Sequence, residues 1–138
     1  GLCFLISNLA LADAKLISPV LETNDELFGT LLGEDQKLVS IAATKLLTKI
    51  ENSKDIKLIA VAGDLREISE KKSKTENLAT YSKFMEGFLP LAKGHGLGDK
   101  HSVYYCPMVK KYWLQNNKLH KKTQNVFAQE MLECGGKA

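Results

Sequence analysis

Ser73-Lys74-Thr75-Glu76-Asn77-Leu78-Ala79-Thr80-Tyr81-Ser82-Lys83-Phe84-Met85-Glu86-Gly87-Phe88-Leu89 is the stretch on which the fold class turns. Ser73-x-x-Glu76 is a capping-box pattern: the serine hydroxyl takes the N–H three residues on, and the glutamate reaches back to the serine's own N–H. Behind it Leu78, Tyr81, Phe84, Met85, Phe88, Leu89 and Ala92 recur in steps of three and four, the period of one buried helix face. The pattern predicts a helix that runs to Gly94, with Pro90 bending its last turn.

Three earlier segments repeat the theme. Ser18 reads as an N-cap with Pro19 at the first helical position, followed by an apolar stripe of Val20, Leu21, Leu27, Phe28, Leu31 and Leu32 up to Gly33. Asp35 caps a second segment carrying Leu38, Val39, Ala42, Leu46, Leu47 and Ile50. Asp55 caps a third with Leu58, Ile59, Ala62, Leu65 and Ile68. Short connections between such helices predict an all-α fold, an up-down antiparallel four-helix bundle.

The chain changes character after Gly94-His95-Gly96-Leu97-Gly98. Ser102-Val103-Tyr104-Tyr105-Cys106 is rich in β-formers, Pro107 interrupts it, and Lys111-Tyr112-Trp113-Leu114-Gln115 reads as a short strand pairing back. Residues 126–134 read as one short helix ending at Gly135-Gly136. The expectation for residues 97–138 is therefore a C-terminal tail with a short β-like segment and one short helix, held against the bundle by Pro107 and Trp113. The tail carries two sulfur pairs. Cys106 and Met108, two apart, share a face on an extended chain; Met131 and Cys134, three apart, share one on a helix. Four converging sulfurs would make either a soft metal site or a disulfide with two packed methionines.

Composition sets the outer bounds. With 138 residues, 44% apolar and 25% charged, the chain suits a single domain over 15–138 that needs no metal or disulfide to bury a core. The net charge of +3 and the lack of a nucleic-acid motif argue against a nucleic-acid partner, although Lys110, Lys111, Lys118, Lys121 and Lys122 crowd one stretch with His120. Residues 1–14 read as a signal-peptide remnant or N-terminal extension. They hold an apolar run too short to cross a bilayer and two small-x-small patterns, Ala10-Leu11-Ala12 and Ala12-Asp13-Ala14. Removal there would take Cys3 away and leave Cys106 and Cys134 as a pair.

From about residue 16 to 136 the chain resembles the domain of unknown function 3347 family. The resemblance is carried by Leu97-Gly98, Cys106-Pro107-Met108, Trp113, Phe127-Ala128 and Met131-Leu132-x-Cys134-Gly135. It departs where that family usually has Asn-Pro-Tyr, since Gln124-Asn125-Val126 stand here, and Ala128 replaces a glycine. The resemblance implies an exported, periplasmic bacterial helical domain, in some members attached to the adaptor subunits of copper and silver efflux pumps.

Two functional expectations follow. The first is a non-enzymatic module binding Cu(I) or Ag(I) through Cys106, Met108, Met131 and Cys134, with His101 as a fifth ligand and an efflux component as partner; thiolate and thioether suit those soft ions, and no cofactor is needed for folding. His95 and His120 are weaker candidates. The alternative is a structural or protein-interaction module stabilised by a Cys106–Cys134 disulfide, with the lysine-rich Lys110 to Lys122 region as partner surface and Pro107, Trp113, Phe127 and Gly135 shaping the tail. Catalysis is not expected, because no histidine–cysteine or Ser-His-Asp arrangement comes with an orienting residue.

Overall fold

Caps place the helices. In the computed structural model, which describes the backbone of residues 2–138 and the side chains from Ala14 onward, Asp35 Oδ1 accepts from Lys37 N and Leu38 N at 3.0 and 3.4 Å and starts α2, Gln36–Ser53. Asp55 Oδ1 accepts from Leu58 N at 3.0 Å and starts α3, Ile56–Ala62, which tightens into a 3-10 turn over Gly63–Glu67. Ser73 and Glu76 form the complete reciprocal box at the head of α4, Lys74–His95, which passes through Pro90 and Gly94 before Gly96 ends it. The Ser73 backbone N–H and hydroxyl stabilise the Glu76 carboxylate and hold its pKa below the usual range.

The first helix departs from the cap reading. α1 spans Leu2–Leu32, so Pro19 lies inside it rather than at its start. Pro19 sits on the exposed side, where solvent can take the carbonyl that a proline cannot bond. The expected signal remnant over residues 1–14, and Cys3 with it, lies outside the residues described in full, Ala14 apart. Among the described residues no helix is long and apolar enough to cross a membrane.

The helices meet along the predicted stripes. α1 packs against α2 and α4, α4 against α3, and Leu27, Phe28, Leu46, Leu58, Phe84 and Phe88 are all fully buried. Gly87 lets α4 close on α3, since a Cβ there would lie 2.8 Å from Val61 Cγ1.

The all-α expectation is wrong. Besides four α-helices among the described residues, the C-terminal region holds a three-stranded antiparallel sheet, so the fold is mixed α/β. The strands are β1, His101–Cys106, β2, Lys111–Asn116, and β3, Gly136–Lys137, in the order β2-β1-β3. The register runs from His101↔Asn116 to Cys106↔Lys111, and Tyr104 and Tyr105 pair with Lys137 and Gly136. β2 lies against α4 with Trp113 and Leu114 wholly buried, so the sheet is part of the core rather than an appendage.

The short helix expected over residues 126–134 is also absent. A chain of turns replaces it: Asn125 Oδ1 accepts from Phe127 N at 3.0 Å, its backbone carbonyl accepts from Ala128 N at 3.2 Å, and its Nδ2 donates to Cys134 O at 3.0 Å. Asn125 is fully buried, and one side chain thus takes both ends of the segment that a helical ladder would have satisfied.

Candidate functional site

Cys106 ends β1 fully buried, and the chain then turns through Pro107, Met108 and Val109. Lys110 closes that turn with a left-handed backbone, and its N–H donates to Cys106 O at 2.8 Å. Met108 therefore sits at the apex of a turn, 71% exposed, not on the face of an extended strand. On the other segment Met131 is 45% exposed and Cys134 is half-buried. The two cysteines are joined in a disulfide with their Cα atoms 5.8 Å apart, inside the range such a bond requires.

The structure brings together Cys106 and Cys134, leaves Met108 and Met131 exposed, and sets His101 apart from them. His101 stands at the opposite end of β1, about 16 Å along the strand from Cys106 at the usual rise per residue. Both oxygens of Asp25 lie 2.9 and 3.0 Å from its Nε2, and Asn116 Nδ2 donates to the same carboxylate at 2.9 Å. All three are buried. Among the described residues no group of three or more His, Cys, Asp or Glu side chains is placed to hold a metal. His95 lies 3.3 Å from Asp55, and His120 sets its ring edge-on against Phe28.

Of the residues expected to shape the tail, Trp113, Phe127 and Gly135 make close contacts, while Pro107, expected to hold the tail against the bundle, is exposed in the β1–β2 turn. Trp113 stacks on Tyr104 with centroids 5.7 Å apart, and its Nε1 donates to Gln115 Oε1 at 3.1 Å. Phe127 lies against Tyr81, with centroids 6.0 Å apart. Gly135 carries the chain from the disulfide into β3 with φ +111; a Cβ there would stand 2.5 Å from Tyr105 O and 3.1 Å from Trp113 Cη2. Only glycine passes this gap.

The lysines divide between the two ends of the hairpin. Lys110 and Lys111 flank the β1–β2 turn beside the exposed Met108 and Tyr112, while Lys118, Lys121 and Lys122 lie in the loop after β2.

Sequence reasoning missed the buried polar residues. Asn24 and Asp25 interrupt the apolar stripe of α1 at stripe positions, which was the available signal. Asn24 Oδ1 accepts from Tyr81 Oη at 2.7 Å, while its Nδ2 is buried without a partner among the described residues. Burial drives the Tyr81 phenol pKa far above its ordinary range; the hydrogen bond to Asn24 opposes that rise and the Asp25 charge adds to it.

Compared with protein-family models, curated proteins and solved structures, the chain finds no match.

Proposed function

We propose that the chain is a non-enzymatic interaction module of the exported kind, its tail locked by the Cys106–Cys134 disulfide and its partner surface at the Lys110–Lys111 end of the Lys110 to Lys122 region, around the β1–β2 turn. The observation that carries this reading is the pairing of the two sulfurs with each other while Met108 and Met131 stay in solvent. A disulfide sulfur is a poor ligand for Cu(I), whereas the closed loop pins β3 and the turn segment to the hairpin. That leaves the exposed Met108, Lys110 and Tyr112, with the half-buried Lys111 between them, on a fixed frame, the arrangement a docking face needs.

A second reading is favoured by one specific feature: each cysteine has an exposed methionine close by in sequence. In the reduced protein the four sulfurs would be free to gather Cu(I) or Ag(I), as the resemblance to efflux-associated domains implies. The test uses photo-crosslinking residues at position 111 and, as a control, at position 49 on α2, in oxidised protein returned to its own cells. A discrete cross-linked protein from position 111 alone supports the module. No such product, together with reduced protein binding one Cu(I) in a manner lost on Cys106→Ser plus Cys134→Ser, supports the metal carrier.

A further inference from the structure

From Lys100 to Gln129 the chain has six lysines and not one aspartate or glutamate, while the other thirteen basic residues are outnumbered by all sixteen acidic ones. None of these six lysines is in an ion pair among the described residues; the ion-paired lysines all lie on the helices or the turn before α4. Four of the six gather at one end. Lys100 O accepts from Asn117 N at 2.7 Å, which sets Lys100 beside the loop carrying Lys118, Lys121 and Lys122, all exposed.

That loop is held in a definite shape. Asn116 Oδ1 accepts from Lys118 N and Leu119 N at 2.9 and 3.2 Å, and Gln115 Nε2 donates to His120 O and Lys122 O at 3.3 and 2.8 Å. The shape inverts the usual sorting of residues. His120 is turned inward onto Phe28, and Leu119 is left 65% exposed with lysines on both sides. Leu119 is thus an exposed apolar side chain in a loop whose exposed neighbours are Lys118, Lys121 and Lys122. One apolar side chain among cations, with no acid in the segment, suits a soft anionic interface, which accepts an apolar side chain anywhere, better than a protein partner, which would need a matching hole.

We infer that this end of the molecule, Leu119 with Lys100, Lys118, Lys121 and Lys122, binds the surface of an anionic phospholipid bilayer. The lysines contact headgroup phosphates, and Leu119 enters the headgroup–acyl boundary. Asp99, beside Lys100, is the one acid adjoining the patch in sequence and takes back part of the attraction. The inference goes beyond the proposed protein-docking role, which concerns the other end of the hairpin.

The experiment is flotation of the full, oxidised chain with vesicles of phosphatidylcholine alone or mixed with phosphatidylglycerol. The account expects binding that requires phosphatidylglycerol and falls as salt rises. A lysine near such a surface contributes about a fivefold factor in partition. Lys118→Glu with Lys121→Glu and Lys122→Glu should therefore reduce binding by about a hundredfold or more, and Leu119→Ala by a few fold. Lys37→Glu with Lys49→Glu and Lys57→Glu makes the same change in net charge elsewhere and should bind nearly as wild type. No binding to phosphatidylglycerol vesicles at low salt overturns the inference, as does equal loss in both triple variants. Salt-sensitive binding to polyglutamate through the same lysines, without binding to vesicles, overturns it in favour of an acidic protein. A failure here leaves the position-111 cross-link unaffected, so the two proposals fail separately.

Discussion

Removing the disulfide is the perturbation whose size can be worked from the structure. Cys106 and Cys134 are 28 residues apart in sequence. In the chain-entropy treatment, closing a loop of that length costs the unfolded state about 12 cal/mol/K, or about 3.6 kcal/mol at 25 °C. For a chain of 138 residues, whose unfolding entropy is about 0.29 kcal/mol/K, this corresponds to a fall in Tm of about 12 °C. Cys106→Ala with Cys134→Ala should show this loss in guanidinium unfolding followed by Trp113 fluorescence, without reductant. The m-value should rise, because the unlinked chain exposes more surface when unfolded. Reduced wild type should behave like the variant. A double variant within about 1 kcal/mol of oxidised wild type would refute the claim that the bond holds the tail.

Other residues answer to different forces. Gly135→Ala places a Cβ against the Tyr105 carbonyl at a positive φ, so a loss on the order of 2–3 kcal/mol is expected in thermal unfolding; unchanged stability would mean that the strand β3 is not tightly held. Asp25→Ala leaves His101 and Asn116 without their shared acceptor and should cost about 3 kcal/mol. A double-mutant cycle with His101→Ala should then show strong coupling, and simple additivity would contradict the pairing. Tyr81 bears on alkaline stability. Above pH of about 10 the unfolded chain gives up the phenol proton while the native state, whose pKa is raised, keeps it; stability should then fall by about 1.4 kcal/mol per pH unit from this residue. Tyr81→Phe should remove that slope, at a cost of about 1 kcal/mol at neutral pH for the lost hydrogen bond, and an unaltered alkaline slope would sink the assignment.

The helices were legible because their information is local. Asp35, Asp55 and the Ser73–Glu76 box act within one turn of chain, and the stripes of α2 and α4 follow the buried faces except at Leu38, which is 53% exposed. The N-cap reading of Ser18 failed because a tolerated interior proline looks the same in sequence as one at a helix start. The strands of the hairpin were visible in their β-formers, but the fold class was not. That depends on Trp113 and Leu114 entering the core and on β3 returning to Tyr104 and Tyr105, contacts made by residues far apart in the chain. Residues 126–134 have helical spacing, yet Asn125 satisfies the backbone in another way, and nothing local announces that. At the site, the cysteine pair was readable from count and spacing, while the placement of Met108 at a turn apex depends on the left-handed Lys110. The tie of Asp25 to His101 and Asn116 spans 76 and 91 residues, beyond the reach of any periodicity argument.

The central claim is that the two cysteines serve structure rather than metal capture. The direct measurement is peptide-level mapping of thiol state at Cys106 and Cys134 in protein isolated from its own cells with free thiols blocked at lysis, alongside Cu(I) competition on the same sample. The account predicts a linked Cys106–Cys134 peptide and no Cu(I) retained against a chelator. Two blocked thiols, with about one equivalent of Cu(I) held against the chelator and lost on Cys106→Ser plus Cys134→Ser, would contradict it.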